Sequence, residues 1–233
     1  LRRQDMEAEF EKQLERLGRI VRESPTPPWR IVRGGGQEFW AAVEAALAAP
    51  LLSLDIETTK LESWDPYAKM RSTAFTADGR TVVFAHRDEP HWLAVLMKVK
   101  EYLEQPAKAV VGSNIGFDLE WHERDLDFPV ACTGIHDLGV LYYQARQYKM
   151  PSLKELVARE LDGYRFLIYD PAHETDLTLL ANYAAEDVVY PLALLRRGLQ
   201  LLGSKTRDLV VRVQGPTNLC LRQITAAGFY LRD

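Results

Sequence analysis

A β-hairpin is the most strongly determined element of this sequence. Two β-prone runs, 70–75 and 81–85, flank the turn Ala77-Asp78-Gly79, and an Asp-Gly pair between two such runs is a good hairpin signal. A further apolar run, 51–56, precedes the hairpin and predicts a buried strand. The folded unit is therefore expected to begin with adjoining antiparallel strands.

The remaining apolar residues form short β-type runs and longer helical stripes. Strands are predicted at 29–32 and 109–112, and helices at 39–47, 91–103, 117–124, 152–161, 177–202 and 206–226. Strands that come first, with helices around them, predict an α/β or α+β sandwich with one mixed sheet.

The composition is typical of a globular protein that does not span a membrane. Of the 233 residues 47% are hydrophobic, and 29 Lys and Arg stand against 33 Asp and Glu, which excludes a disordered or fibrous chain. No apolar stretch approaches the roughly 18 residues that a membrane helix needs. Cys132 and Cys220 are the two cysteines and the charged start is unlike a signal peptide, so we expect an intracellular protein without a disulfide framework.

Two carboxylates stand at the end of the first apolar run. Asp55 and Glu57 are two residues apart, so their side chains point to the same face of a strand. An acidic strand end is also commonly just a solvated edge. The pair alone is therefore weak evidence for a catalytic site.

Two further segments of the sequence contain side chains that could take part in catalysis. Asp118 falls in the first turn of the helix that follows strand 109–112, where an acidic residue is also a common helix stabiliser. Tyr183 and Asp187 are four residues apart in a helix and share a face, although a tyrosine on an amphipathic helix is more often part of the core. Each piece has a structural explanation when it is taken alone.

The three pieces occur together and in one order: Asp-x-Glu, then Asn-x-x-x-Asp, then Tyr-x-x-x-Asp. This order resembles the DEDD superfamily of 3'-5' exonucleases. Tyr183 stands four residues before Asp187 and position 182 is Asn, so the resemblance is to the tyrosine (DEDDy) subclass rather than the histidine form. The wording Leu54-Asp55-Ile56-Glu57-Thr58-Thr59 and Tyr183-Ala184-Ala185-Glu186-Asp187 is most similar to the proofreading exonuclease domain of family A (DNA polymerase I type) DNA polymerases, over about residues 29–200.

The resemblance implies a fold and a chemistry. The fold would be α/β and ribonuclease H-like, with a central mixed β-sheet flanked by helices. Two divalent ions, Mg²⁺ or Mn²⁺, would be held by the four acids Asp55, Glu57, Asp118 and Asp187, and hard oxygen ligands suit both ions. Tyr183 would be the fifth catalytic residue and would orient the attacking water.

The resemblance also implies residues that bind the substrate, which would be a single-stranded or frayed 3' end of DNA. Thr58 and Leu61 would hold the 3'-terminal nucleotide, and Asn114, with Phe117 beside it in the motif, would lie near the penultimate phosphate or sugar. Phe166 is a weaker candidate for a stacking contact, because a phenylalanine in a loop is as often part of the core.

The sequence pattern and the resemblance together divide the chain into three parts, of which the first lies outside the resemblance. Residues 1–28 would be a helical extension and a proline-containing linker, since apolar residues recur at helical spacing over 6–21. Residues 29–203 would be the exonuclease domain, and 204–233 a helical lead-in to an absent polymerase domain. The first residue is Leu1 and the last is Asp233, and we expect that the chain is cut from a longer protein, located in the cytoplasm of a bacterial or phage-infected cell.

Two alternatives remain beside a DNA proofreading exonuclease. A ribonuclease D type enzyme that processes RNA 3' ends would share the four acids and the tyrosine. A catalytically silent exonuclease fold could serve as a scaffold within a polymerase, although silent versions usually lose acidic residues and here the set is intact. The Asn114-to-Asp118 wording and the polymerase-like segment 219–233 favour the DNA exonuclease.

Overall fold

A computed structural model describes residues 29–61, 63, 65–149, 151–161 and 175–210, together with residues 213, 217 and 221. The strands of this part of the chain are β1 Arg30–Val32, β2 Leu51–Thr58, β3 Met70–Thr76, β4 Thr81–His86, β5 Ala109–Gly112 and β6 Gly134–Asp137. Its helices are α1 Gln37–Ala48, α2 Trp92–Leu103, α3 Ile115–Leu126, α4 Leu138–Arg146, α5 Leu153–Glu160, α6 Leu177–Leu201 and α7 Ser204–Leu209. The predicted N-terminal extension, 1–28, lies outside the described residues, as does most of 211–233.

The strands form one mixed sheet in the order β1-β4-β3-β2-β5-β6. Strands β2, β3 and β4 are antiparallel neighbours, whereas β1 runs parallel to β4, and β5 runs parallel to both β2 and β6. The predicted hairpin is confirmed as β3 and β4, and its turn places Gly79 at a φ of 70°, which glycine adopts without steric cost. The predicted α/β class with one mixed sheet is thus confirmed.

Helices cover both faces of the sheet. On one face, buried residues of α1, α2 and α3 pack against Leu52, Leu54, Phe75 and Val110. On the other face α6 crosses β2, β3, β4 and β5, and helices α4 and α5 pack on α6. A sheet that is covered on both sides explains why most positions of its central strands are buried, the polar residues of β3 included.

Two elements were not predicted from the sequence. Strand β6 has only four residues, Gly-Ile-His-Asp, with no β-type alternation. Its intrinsic β-propensity is therefore low, and the strand is stabilised by its pairing with β5. Helix α4 follows immediately and is capped by Asp137, whose side chain accepts hydrogen bonds from the N–H groups of Gly139 and Val140. In the described part of the chain, no helix combines the length and the apolar character that a membrane crossing requires.

Candidate active site

Strand β2 aims two carboxylates at helix α6. Asp55 and Glu57 are half-buried and alternate with the buried Leu54, Ile56 and Thr58, as the two-residue period of a strand requires. The pairing of β2 with β3 becomes irregular directly after Glu57, and such a bulge bends a strand and re-aims the neighbouring side chains. The two carboxylates therefore leave the sheet on the face that α6 covers.

Helix α6 supplies the third carboxylate and the tyrosine. The helix begins after Asp176, whose side chain accepts hydrogen bonds from the first-turn N–H groups. One carboxylate oxygen from each of Asp55, Glu57 and Asp187 lies within 4.8 Å of the other two. The Tyr183 hydroxyl donates a hydrogen bond to the Asp187 side chain, as residues four apart on a helix can do.

The turn between β5 and α3 positions Asp118. Gly112 ends β5 where an added Cβ would lie 3.1 Å from the carbonyl oxygen of Leu54, so this close approach of two strands favours glycine. Asn114 then caps α3 at a φ of 58°, a left-handed conformation that asparagine tolerates better than most residues. Asp118 follows in the first turn of α3, 3% exposed, and accepts a 3.0 Å hydrogen bond from the backbone N–H of Ile56.

Asp137 lies beside this turn and has a structural role. Its carboxylate accepts hydrogen bonds from Gly139 at 2.8 Å and Val140 at 3.3 Å, and from the backbone N–H groups of Asn114 and Ile115. The side chain therefore ties the β6–α4 corner to the turn that carries Asp118. Asp137 was not predicted as a metal ligand, and its contacts with four backbone N–H groups explain why an acidic residue stands there.

Burial and mutual repulsion act against ionisation of the carboxylates. Burial, followed by the neighbouring Asp187, raises the pKa of Glu57 to about 8, although Arg71 and Lys154 act in the opposite direction. Burial raises the pKa of Asp187 to about 6, while Lys154 and the Tyr183 hydroxyl lower it.

The other two acids behave in the same way. Burial is the main reason that the pKa of Asp55 lies well above its ordinary value, and the charges of Asp118, Asp187 and Glu57 add to the effect. Burial also raises the pKa of Asp118, although the hydrogen bond from Ile56 opposes this shift. A group of converging carboxylate oxygens that repel one another fits a hard divalent cation such as Mg²⁺ or Mn²⁺.

The sequence-predicted substrate residues border the acidic group but have different environments. Thr58 is 8% exposed, and its hydroxyl donates to the carbonyl oxygen of Lys60 at 2.7 Å, so it shapes the loop after β2. Leu61 lies in that loop with 78% of its surface exposed.

The remaining candidates lie around helix α3 or outside the described residues. Asn114 is exposed at the start of α3. The half-buried Phe117 packs edge-on against Trp121, with 6.0 Å between ring centroids. Phe166 lies outside the described residues.

Lys154 and Arg71 are site residues that the sequence did not indicate. The Lys154 ammonium group lies 4.9 Å from the centroid of the Tyr183 ring, and both cations influence the pKa of Glu57. Arg71 reaches the site from β3 and Lys154 from α5, and both elements lie outside the three motifs. No local pattern marks such residues, because only the folded arrangement brings them to the carboxylates.

Comparison with known proteins assigns this chain to a family. A family model described as 3'-5' exonuclease matches residues 36–201, a range that contains all four acids and Tyr183. A search of curated protein sequences gives no match.

Solved structures share the fold at low sequence identity. Brucella melitensis NrnC with bound Mg²⁺ is 19% identical, with a TM-score of 0.62 over 81% of this chain and 90% of that chain. Escherichia coli RNase D, an exoribonuclease involved in structured RNA processing, is 16% identical, with a TM-score of 0.65 over 84% and 51%. The POL domain of Pol1 from M. smegmatis, in complex with DNA primer-template and dNTP, is 14% identical, with a TM-score of 0.64 over 87% and 33%. The ribonuclease H-like fold is thereby confirmed.

Proposed function

Because the chain belongs to the 3'-5' exonuclease family whose model matches residues 36–201, we propose that it removes nucleotides from the 3' ends of DNA as the proofreading domain of a family A DNA polymerase. The observation that carries the hydrolytic part of this proposal is the meeting of Asp55, Glu57 and Asp187 within 4.8 Å. A polymerase domain would be its partner in the parent protein.

Asp55, Glu57 and Asp187 would hold one divalent cation, and Asp118 with Asp55 a second. When bound, such cations supply an activated water and neutralise the charge that develops on the phosphate and the leaving oxygen during phosphodiester hydrolysis. The protein's part is to fix the oxygen ligands in advance, which it does by placing them on β2, α3 and α6. The hydrogen bond from Ile56 orients Asp118.

Tyr183 would orient the water that attacks the phosphate. Its hydroxyl donates to Asp187, and because a phenolic oxygen is an acceptor as well as a donor, it can also accept a hydrogen bond from that water. A positioned water in line with the leaving group is a large part of what such a site contributes to the rate.

The loop after β2 would bind the frayed end of the strand. Leu61 and Tyr67 are exposed by 78% and 79%, and the Lys60 ammonium group lies 6.0 Å from the centroid of the Tyr67 ring. Exposed aliphatic and aromatic side chains suit unstacked bases, with little preference for sequence. The Lys60 ammonium group, which is paired with Asp65 in this structure, would exchange that partner for a phosphate. Selection for mismatched ends would then follow from their greater fraying.

The choice of DNA over RNA rests on the wording of the motifs, which is most similar to that of family A polymerases. RNA processing is the second candidate, and the likeness in fold to the exoribonuclease RNase D, with a TM-score of 0.65, favours it. Both functions use the same four acids and tyrosine, so a direct comparison of DNA and RNA as substrates distinguishes them.

The test is degradation of a 5'-labelled single-stranded DNA and of an RNA of the same sequence, with Mg²⁺ or Mn²⁺. The parent chain is compared with the double variant Asp55→Ala, Glu57→Ala. The control Glu38→Ala, Asp88→Ala removes the same charge at exposed positions.

A ladder that shortens DNA from the 3' end, present in the parent and the control but absent in the site variant, is the expected result. Faster trimming of RNA would replace the proofreading proposal by the RNA-processing one. A folded parent chain that degrades neither substrate would support the silent scaffold instead.

A further inference from the structure

Helix α5 places a lysine against the catalytic tyrosine. The helix begins with a capping box, in which Ser152 and Glu155 each bond to the other's backbone N–H, and Lys154 lies in this fixed first turn. The Lys154 ammonium group is 4.9 Å from the centroid of the Tyr183 ring, within the range of a cation–π interaction. The hydroxyl of Tyr183 is bonded to Asp187, so the side chain is contacted both at its ring face and at its hydroxyl group.

The charge of Lys154 acts on the carboxylates as well. It is the first of the charges that act on Asp187 and one of two cations that act on Glu57. The first turn of a helix is the unfavourable end for a cation, because the helix dipole is positive there. The carboxylates, and not the helix to which the lysine belongs, therefore stabilise an ammonium group at this position.

We propose that Lys154 is a positioning residue of the nuclease site, whose ammonium group holds the Tyr183 ring beside Asp187 and balances part of the carboxylate charge in competition with the divalent cation. This inference rests on the proposed function, and it goes beyond the four acids and the tyrosine of the motifs. The proposal predicts two effects of replacing Lys154: tighter binding of the divalent cation and a lower kcat.

The first consequence concerns metal binding. A fixed positive charge near Glu57 and Asp187 repels a divalent cation that uses the same carboxylates. Replacing Lys154 by a neutral residue of similar length should therefore tighten the binding of Mn²⁺.

The second consequence concerns turnover. Without its cation, the Tyr183 ring loses a contact that holds it in place, and the water that it orients is less well placed. Because a small misplacement of a reacting group has a large effect on rate, kcat should fall even though the metal binds more tightly. A general loss of folding would instead weaken metal binding and lower kcat together.

The chain contains a matched control on the same helix. Arg159 lies 4.9 Å from the centroid of the Tyr148 ring, and the Tyr148 hydroxyl donates to Glu160 at 3.1 Å. This group has the same cation, tyrosine and carboxylate but lacks the catalytic acids. Arg159→Met thus removes an equivalent cation–π contact and an equivalent charge outside the site.

The experiment measures Mn²⁺ binding by isothermal titration calorimetry and steady-state cleavage of single-stranded DNA at saturating Mn²⁺, at one pH and ionic strength. Lys154→Met is expected to bind Mn²⁺ roughly threefold or more tightly and to lose about tenfold or more in kcat. Lys154→Arg should restore kcat to within about threefold, since it keeps the charge, and Arg159→Met should behave like the parent chain.

Several results would overturn the inference. These are unchanged or weaker Mn²⁺ binding by Lys154→Met, an equal loss of kcat in Arg159→Met, and a parent chain and variant that both fail to bind Mn²⁺. A parent chain that binds Mn²⁺ but cleaves neither DNA nor RNA would contradict the proposed function, while the calorimetric comparison would still decide the role of Lys154.

Discussion

The backbone N–H of Ile56 donates a 3.0 Å hydrogen bond to the carboxylate of Asp118, although 62 residues separate the two in sequence. Strand β5 pairs with β2 only as far as Ser53, and beyond that point helix α3 takes the place of the neighbouring strand. The Asp118 side chain thus satisfies a backbone donor that the sheet no longer reaches. One contact fixes α3 to the strand that carries the other carboxylates.

This contact makes the two simplest substitutions of Asp118 differ in stability. In Asp118→Asn the amide oxygen can still accept the hydrogen bond from Ile56, and a repulsive charge is lost, so the metal-free protein should be at least as stable as the parent. Asp118→Ala leaves a buried N–H without its acceptor and should lower the free energy of unfolding by about 1–3 kcal/mol. Urea unfolding in EDTA measures both values, and equal stability of the two variants would show that the contact is unimportant.

The pKa of Glu57 predicts how the metal-free protein responds to pH. Its ordinary value of 4.5 is raised to about 8 in the folded chain, so between these values the unfolded chain has released a proton that the folded chain keeps. Stability should then fall as the pH rises from about 4.5 to about 8, and level off above. Melting curves in EDTA should show a shallower fall for Glu57→Gln than for the parent or the exposed control Glu38→Gln; parallel curves would refute the assignment.

A bound divalent cation should offset the repulsion among the carboxylates and so stabilise the folded chain. Saturation at about 100 times the dissociation constant stabilises a protein by about 2.7 kcal/mol, which for a chain of this size is a rise in melting temperature of about 5–10 °C. Mn²⁺ should produce this rise in the parent chain. Asp187→Asn should raise the melting temperature without metal and respond less to Mn²⁺, whereas the exposed control Asp88→Asn should do neither. Equal melting curves of the parent with and without Mn²⁺ would count against the site.

The sequence predicted the elements whose patterns are local. The hairpin around Gly79, the strand that carries Asp55 and the helix with Asp118 in its first turn all follow from turn chemistry, apolar period and position. The resemblance of the motifs then grouped acids that lie far apart in the chain. For this reason the fold and the family could be predicted from the sequence.

Elements that depend on their neighbours were not predicted. Strand β6 is stable because β5 pairs with it, and its Gly134 start and Asp137 end have no β-type pattern. Lys154 enters the site because α5 packs on α6, and a lysine in the first turn of a helix is otherwise an ordinary surface residue. Tertiary contacts, which no local spacing encodes, determine both.

The hydroxyl of Tyr183 should matter for turnover and little for stability. Tyr183→Phe keeps the ring below Lys154 and removes the hydrogen bond to Asp187, so kcat on single-stranded DNA should fall about 10- to 100-fold. Tyr148→Phe is the matched control, because it removes a hydroxyl bonded to Glu160 at 3.1 Å. Steady-state kinetics and melting curves of both variants check the prediction. Equal kcat values for the two variants would mean that the Tyr183 hydroxyl has no part in the reaction.

Leu61 should affect the binding of the strand end and not the fold. Its side chain is 78% exposed, so Leu61→Ala should change the free energy of unfolding by less than about 0.5 kcal/mol. If the side chain packs against the terminal base, the loss of that contact should raise KM for single-stranded DNA roughly tenfold and leave kcat within about twofold. Leu93→Ala, on helix α2 and 63% exposed, is the matched control and should keep the parent KM. A KM for Leu61→Ala equal to that of the control would remove Leu61 from the substrate-binding surface.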